Sequence, residues 1–193
     1  MRKILLLTAL AALLTAGAAQ AASYAIDASH SSVSFKVRHM MVSKVKGFFE
    51  DFEGTIEFDE TNMKSAKVNA VIQMASVNTN DEKRDGHLRN EDFFDVAKYP
   101  TMTFTSTGVK QDGDDWLLMG DLTMHGVTKP VTLELEYNGT VEDPWGNTRV
   151  GFSAEGEIDR TEFGIVYNST LDKGGLAVGN EVEIMLEIEA IKK

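Results

Sequence analysis

The chain contains no cysteine, which excludes a disulfide framework, thiolate chemistry and a lipid anchor attached through cysteine. Its stability must therefore come from buried apolar surface. Long apolar runs are also missing. The stretch from Ile4 to Leu14 is too short to cross a bilayer as a stable helix, and no later segment reaches the roughly 18 apolar residues that a span needs. The mature protein is therefore expected to be soluble, without a permanent membrane anchor. Basic residues are scarce: 19 Lys and Arg stand against 30 Asp and Glu, for a net charge of −11. So acidic a surface repels nucleic acid and anionic lipid head groups at long range, which argues against nucleic acid as a partner and against permanent membrane adsorption. Finally, there is no HExxH or H-x-H metal motif, no serine in a G-x-S-x-G elbow, no internal repeat and no low-complexity stretch.

The first residues read as an address. Arg2 and Lys3 make a short positive start, the apolar stretch follows, and Ala19-Gln20-Ala21 fits the small-x-small pattern of a signal-peptidase site. Residues 1–21 are thus expected to be a signal peptide, and the periplasm the destination. Removing them takes away two basic residues and no acidic ones, for a net charge of −13, and leaves 172 of the 193 residues. One domain over 22–193 can bury a substantial core at that length.

Period-two alternation dominates the remainder. One face of each segment is apolar: Val33/Phe35/Val37/His39, Phe48/Phe52/Gly54/Ile56/Phe58, Val68/Ala70/Ile72/Met74, Met102/Phe104/Ser106, Trp116/Leu118/Gly120/Leu122, Val131/Leu133/Leu135/Tyr137, Val150/Phe152/Ala154/Gly156/Ile158 and Val182/Ile184/Leu186/Ile188. Eight amphipathic strands joined mainly by short turns predict an all-β fold, an eight-stranded antiparallel barrel whose closure removes exposed edges; a two-sheet sandwich is the alternative. Two segments break the pattern. Residues 79–95 are too charged for a strand and predict a short helical segment between the third and fourth strands, capped by Thr79 or Asn80 and acting as a lid or plug. Phe93 and Phe94 are expected to cover Leu117 and Met119 on the wet face of the fifth strand. Residues 160–180, with Gly164, Gly174, Gly175 and Gly179, predict a long functional or mobile loop.

A small barrel is either filled by its own side chains or just able to hold one ligand. A filled barrel would be an interaction module. Small inward residues, Ala70, Ser106, Gly120, Ala154 and Gly156, favour an apolar cavity instead. Its walls are expected from Phe35, Val37, Phe52, Ile56, Ile72, Met102, Phe104, Leu118, Leu133, Leu135, Tyr137, Phe152 and Phe163, and its partner is a hydrophobic small molecule or lipid. From Ala28 to Phe49 there is no acidic residue, while Lys36, Arg38, Lys44 and Lys46 are basic. Arg38, His39 and His87 are the candidates for meeting a polar head group. Outward lysines and Arg38 could equally pair with Glu183 or Glu187. The four histidines, His30, His39, His87 and His125, leave a metal or hydrolytic site as a lesser alternative. The expectation is a binding protein, not an enzyme, with no cofactor beyond a bound lipid; an exposed edge or apolar rim would permit a homodimer.

Five blocks, SFKVRHMMVSKVKGFF (34–49), RDGHLRNEDFFDVAKYPTMTF (84–104), TSTGV (105–109), GDLTMHGVTKPVTL (120–133) and RTEFGI (160–165), resemble the YceI-type, lipocalin-like polyisoprenoid-binding family in order and spacing. The resemblance spans the mature chain. It implies an eight-stranded antiparallel barrel with a helical element between the third and fourth strands. It also implies a secreted, non-enzymatic protein and a tunnel for an isoprenoid quinone precursor, polyprenyl phosphate or fatty amide. His39, Arg84, His87, His125 and Arg160 fall within the blocks.

Overall fold

The computed structural model describes residues 21–170 and 175–193. The expected signal peptide, apart from Ala21, lies outside these residues, as do 171–174 of the glycine-rich segment. Eight strands account for the fold. Three are bent: β1 consists of Ala22–Ile26 and Ser32–His39, β2 of Ser43–Phe49 and Phe52–Phe58, and β3 of Lys67–Gln73 and Val77–Asn78. The others are β4 (Thr101–Asp112), β5 (Asp115–Met124), β6 (Val127–Glu142), β7 (Thr148–Asp159) and β8 (Val178–Lys192). Both halves of β1 pair antiparallel with β2, with the register offset by two residues at the bend: Val33 faces Phe49 and Ala25 faces Thr55. Neighbours in sequence are neighbours in the sheet, and β8 closes on β1 through Tyr24↔Lys192 and Ile184↔Phe35. The result is the expected eight-stranded antiparallel barrel.

The bends correct one expectation. Strict alternation puts Phe48 and Phe52 on the same face, but the break at Glu50-Asp51 shifts the parity, so Phe49 is the residue buried with Phe52 and Phe48 is only half-buried. The strands themselves begin earlier than the apolar pattern suggested, at Ala22 and Ser43, because short segments there hydrogen-bond to neighbours without alternating strongly.

One end of the barrel carries the turns 59–66, 113–114 and 143–147. It is sealed by aromatic packing: Phe58, Tyr137 and Phe152 meet with ring centroids 5.0–5.5 Å apart, above buried Tyr24, Val150 and Ala190. The opposite end holds the turn at 40–42, the described parts of the β7–β8 connection (160–170 and 175–177) and α1 (Glu82–Arg89), which lies between β3 and β4 as expected. The cap of α1 is Asp81, whose side chain accepts from Arg84 N at 2.9 Å, rather than Thr79 or Asn80. Thr79 is buried and serves another purpose. Its N–H donates to Asp85 Oδ1 at 2.8 Å, and its hydroxyl oxygen accepts from Arg84 Nε at 2.7 Å. Arg89 donates to the Ala75 and Val77 carbonyls, both at 2.7 Å, binding the helix to β3.

At the sealed end, Arg149 fastens the seam where β8 meets β1. Its Nη1 donates to Asp27 Oδ2 at 2.8 Å and to Glu189, and its Nε donates to Asp143 Oδ2 at 2.8 Å. Hydrogen bonds from the Ser29 hydroxyl and then Arg149 hold the Asp27 carboxyl well below the usual carboxylate range. Desolvation pushes the Asp143 carboxyl up, but hydrogen bonds from Arg149 and Asn147 outweigh it and leave that group low as well. A carboxyl depressed in the folded state stabilises fully above its unfolded value of about 3.9 and loses that contribution as pH falls through the lower folded value. Arg149→Met is therefore expected to lower the melting temperature most at pH 7, with the gap to the parent narrowing only below about pH 4. Thermal melts between pH 2 and 7 check this, and a gap independent of pH would contradict it.

Candidate functional site

The inward faces of the strands do not meet. They enclose a cavity of about 220 Å³ whose lining, among the described residues, is apolar except at Ser34, Ser153 and Arg160. Both serines are committed elsewhere: Ser34 Oγ donates to the Met185 carbonyl at 2.9 Å and Ser153 Oγ to Glu187 Oε2 at 2.7 Å. An apolar cavity of about 150 Å³ already stays dry and admits benzene, so this one has the size and chemistry to take up an apolar guest.

Every residue expected in the wall lines it except Tyr137 and Phe163. Tyr137 belongs to the aromatic seal. Its ring packs on Phe58 and Phe152, and its hydroxyl lies 2.7 Å from Thr140 Oγ1. Phe163 is 1% exposed and packs in the core beside the cavity, beneath the loop that follows β7. The structure adds the inward face of β8, from Val178 and Val182 through Ile188, and four residues from the aperiodic end: Leu88, Phe93, Phe94 and Ile165. Phe93 and Phe94 thus close over the barrel interior instead of covering Leu117. Leu117 instead lines an outer groove with Lys36, Thr132 and Glu134.

The space has a different origin from the one the small residues suggested. Ala70 and Ala154 do line the cavity. Gly120 and Gly156 do not: a Cβ on Gly120 would fall 2.3 Å from the Phe104 ring, and one on Gly156 would fall 2.5 Å from Leu133 Cδ2. The two glycines let large inward side chains from neighbouring strands lie flat against the sheet. Ser106 is occupied by accepting a hydrogen bond from Val68 N at 2.8 Å.

None of the three head-group candidates lines the cavity. Arg38 is exposed, and His39 is half-buried where β1 ends, opposite Ser43 and Val178. His87 stands on α1 with Nε2 2.8 Å from Asp92 Oδ2, its ring edge-on to Phe93 and Tyr167. Glu183 pairs with Lys44. Among the described residues the charged one that does reach the wall is Arg160, whose Nε and Nη1 donate to the Gly179 and Ile165 carbonyls at 2.9 and 2.7 Å. Burial lowers its pKa from the ordinary guanidinium value, but an arginine stays charged at neutral pH.

The histidines are not gathered. His125 Nδ1 lies 3.2 Å from the Phe163 carbonyl with Tyr99 packed on its ring, far from His30 in the fold. Asp27, His30 and Glu189 bring ligand atoms within 4.8 Å of one another. Arg149 already donates to both of those carboxylates, and its charge opposes a cation there.

A model of the YceI-like domain matches residues 24–190. The chain is 46% identical over 196 residues to Protein YceI of Escherichia coli O17:K52:H18 (strain UMN026 / ExPEC), with full coverage of both. The same figures hold for Protein YceI of Salmonella newport (strain SL254). Among solved structures, the Campylobacter jejuni YceI protein superposes with a TM-score of 0.68 at 34% identity, covering 81% of this chain and 90% of its own. Burkholderia cenocepacia BcnA matches with a TM-score of 0.74 at 23% identity, over 85% of this chain and 98% of its own. A domain from Saccharophagus degradans described as polyisoprenoid-binding matches with a TM-score of 0.66 at 19% identity, over 90% of this chain and all of its own.

Proposed function

The chain belongs to the YceI-like family, and from that premise and the apolar cavity we propose that it binds, stores or carries a long-chain amphipathic lipid inside its barrel: a polyisoprenoid, an isoprenoid quinone precursor or a fatty amide. The observation that carries this is the continuous apolar wall. Along β8 it runs from Val178 to Ile188, ten residues that rise about 34 Å along a strand, or about 25 Å along the axis of a barrel with strands tilted by about 40°. A space of that shape suits a chain better than a compact molecule. The polyisoprenoid-binding description of the Saccharophagus domain agrees in kind.

The role is binding rather than catalysis, and it belongs in the periplasm. The leader over 1–21 supports export and predicts that protein from the periplasmic fraction begins at Ala22. Burying one methylene from water is worth about 0.8 kcal/mol, so a long tail would nominally exceed the practical affinity ceiling near −20 kcal/mol. Water is the wrong reference, however. A tail that leaves a membrane for the barrel exchanges one apolar surrounding for another, so net transfer is near balance and cargo can return.

Organic extraction and mass spectrometry of protein purified from its own compartment are expected to recover one class of long-chain lipid at up to one molecule per chain. Native mass spectrometry that finds only the bare polypeptide mass would return the barrel to the interaction-module reading.

A further inference from the structure

Among the described residues the exposed large apolar side chains fall at the two ends of the barrel, and unequally. Val141 and Trp145 lie at the sealed end; Met40, Met41, Val42, Val166 and Leu176 lie at the other, where Val42 is 84% exposed. The turn that carries three of them is strained. Met40 and Met41 have φ of 48° and 63°, in the left-handed region, and Val42 N donates to the His39 carbonyl at 3.1 Å to close the turn. Asn-Gly or Asp-Gly would adopt such a hairpin turn at little cost, whereas unbranched thioether chains do so against their steric preference. Strain of this kind persists where the surrounding structure holds it. Here Met40 N donates to the Ala177 carbonyl at 2.8 Å, and a Cβ on Gly175 would lie 3.7 Å from Met41 Cγ. The two loops thus form one apolar rim above the end of the cavity lined by Val37, Ile165 and Val178.

The hairpin that carries Met40–Val42 is a local basic exception in an acidic chain. From Ala28 to Phe49 there is no acidic residue, and Arg38, Lys44 and Lys46 point into solvent. Lys44 is paired with Glu183; Arg38 and Lys46 form no ion pair among the described residues. Apolar tips flanked by cations fit the interface of a bilayer that carries anionic lipid, where each Lys or Arg near the surface contributes about fivefold in affinity. A second copy fits less well, because a two-fold contact through this rim would bring the same cations face to face. Exposed acids flank the hairpin on both sides of the same end: Glu91 and Asp92 between β3 and β4, next to β2, and Glu162 and Glu181 after β7 and at the start of β8. The molecule would therefore tilt so that the hairpin joining β1 to β2 touches first.

We propose that this rim docks the barrel onto the surface of an anionic bilayer and places the apolar cavity against it. The purpose of docking rests on the lipid-carrying reading, but its measurement does not. The test is co-sedimentation of the full mature chain with vesicles of phosphatidylethanolamine and phosphatidylglycerol, against vesicles of phosphatidylcholine alone. The parent is expected to sediment with the anionic vesicles and to be released by salt. Met40→Asn combined with Met41→Asn, which suits the left-handed turn and removes its two apolar thioether chains, should cut binding at least about tenfold without lowering the melting temperature. Arg38→Gln and Lys46→Gln should each reduce binding to the anionic vesicles about fivefold. Equal binding to both vesicle types, no binding to either, or full binding by the double asparagine variant would overturn the proposal. So would a dimer in sedimentation velocity that those asparagines dissociate. Extracted lipid without vesicle binding would sink docking alone, and vesicle binding by a chain that never holds lipid would sink the carrier reading alone.

Discussion

Ala70→Phe combined with Ala154→Phe is expected to give a barrel that comes out of the cell without lipid yet melts no lower than its parent. Both alanines face the cavity, which has about 220 Å³ to accept the new rings. A ring that enters empty apolar space gains dispersion contacts and removes further apolar area from water, so filling a true cavity is neutral or stabilising. Forcing the same rings into a filled core costs about 1–3 kcal/mol through off-rotamer side chains and shifted strands. For a domain of this size that is a fall of roughly 2–12 °C. The sign of the change in melting temperature thus reports whether the interior is open, and the extracted lipid reports whether the opening is where cargo lies. A variant that melts several degrees lower and still carries the parent's lipid would defeat both ideas.

Most of this architecture is legible in the sequence because strands with one wet face must alternate, and the eight alternating segments correspond to the eight strands of the ring. What alternation cannot register is a break in itself. The bend at Glu50-Asp51 adds no turn residue, only a shift of parity, and it exchanges Phe48 for Phe49 as the buried ring. The cavity was legible in kind for a partly mistaken reason. Ala70 and Ala154 do leave space, but whether a glycine opens a void depends on its cross-strand neighbour, and Phe104 covers Gly120 as Leu133 covers Gly156. Tyr137 has the parity of a wall residue. Its position near the sealed end, opposite Phe58 and Phe152, makes it part of the stopper, and only the depth of a residue along the barrel axis could have revealed that. Leu88, Phe93, Phe94 and Ile165 come from segments without a period, so no periodic signal could place them at the cavity.

Arg160→Met should be the most damaging single substitution at the end of the barrel that carries the loops. The side chain is 4% exposed, and its guanidinium donates to the carbonyls of Ile165 and Gly179, with a longer contact of 3.5 Å to that of Val178. It begins the turn Arg160–Phe163, which Gly164 ends in the left-handed conformation at φ 79°. One side chain therefore ties the exit of β7 to the entry of β8 across a loop that contributes Ile165 and Val178 to the cavity wall. Methionine can replace the buried stem but none of the donors, so at least two carbonyls in a poorly hydrated place would lose their partners. At about 1–3 kcal/mol for each group left unsatisfied, the expected cost is about 3 kcal/mol, or roughly 6–12 °C in melting temperature. Lysine retains the charge without the planar fork and can satisfy fewer of the acceptors in that geometry, so Arg160→Lys should fall between parent and methionine variant. Hydrogen exchange separates this positioning role from a general loss of stability. The Met40 amide, bonded to Ala177 in the same loop, should lose protection well before the amides of Phe58 and Phe152 at the sealed end. A methionine variant that melts within a degree of the parent, with Met40 protected as before, would mean that the loop is held by something other than Arg160.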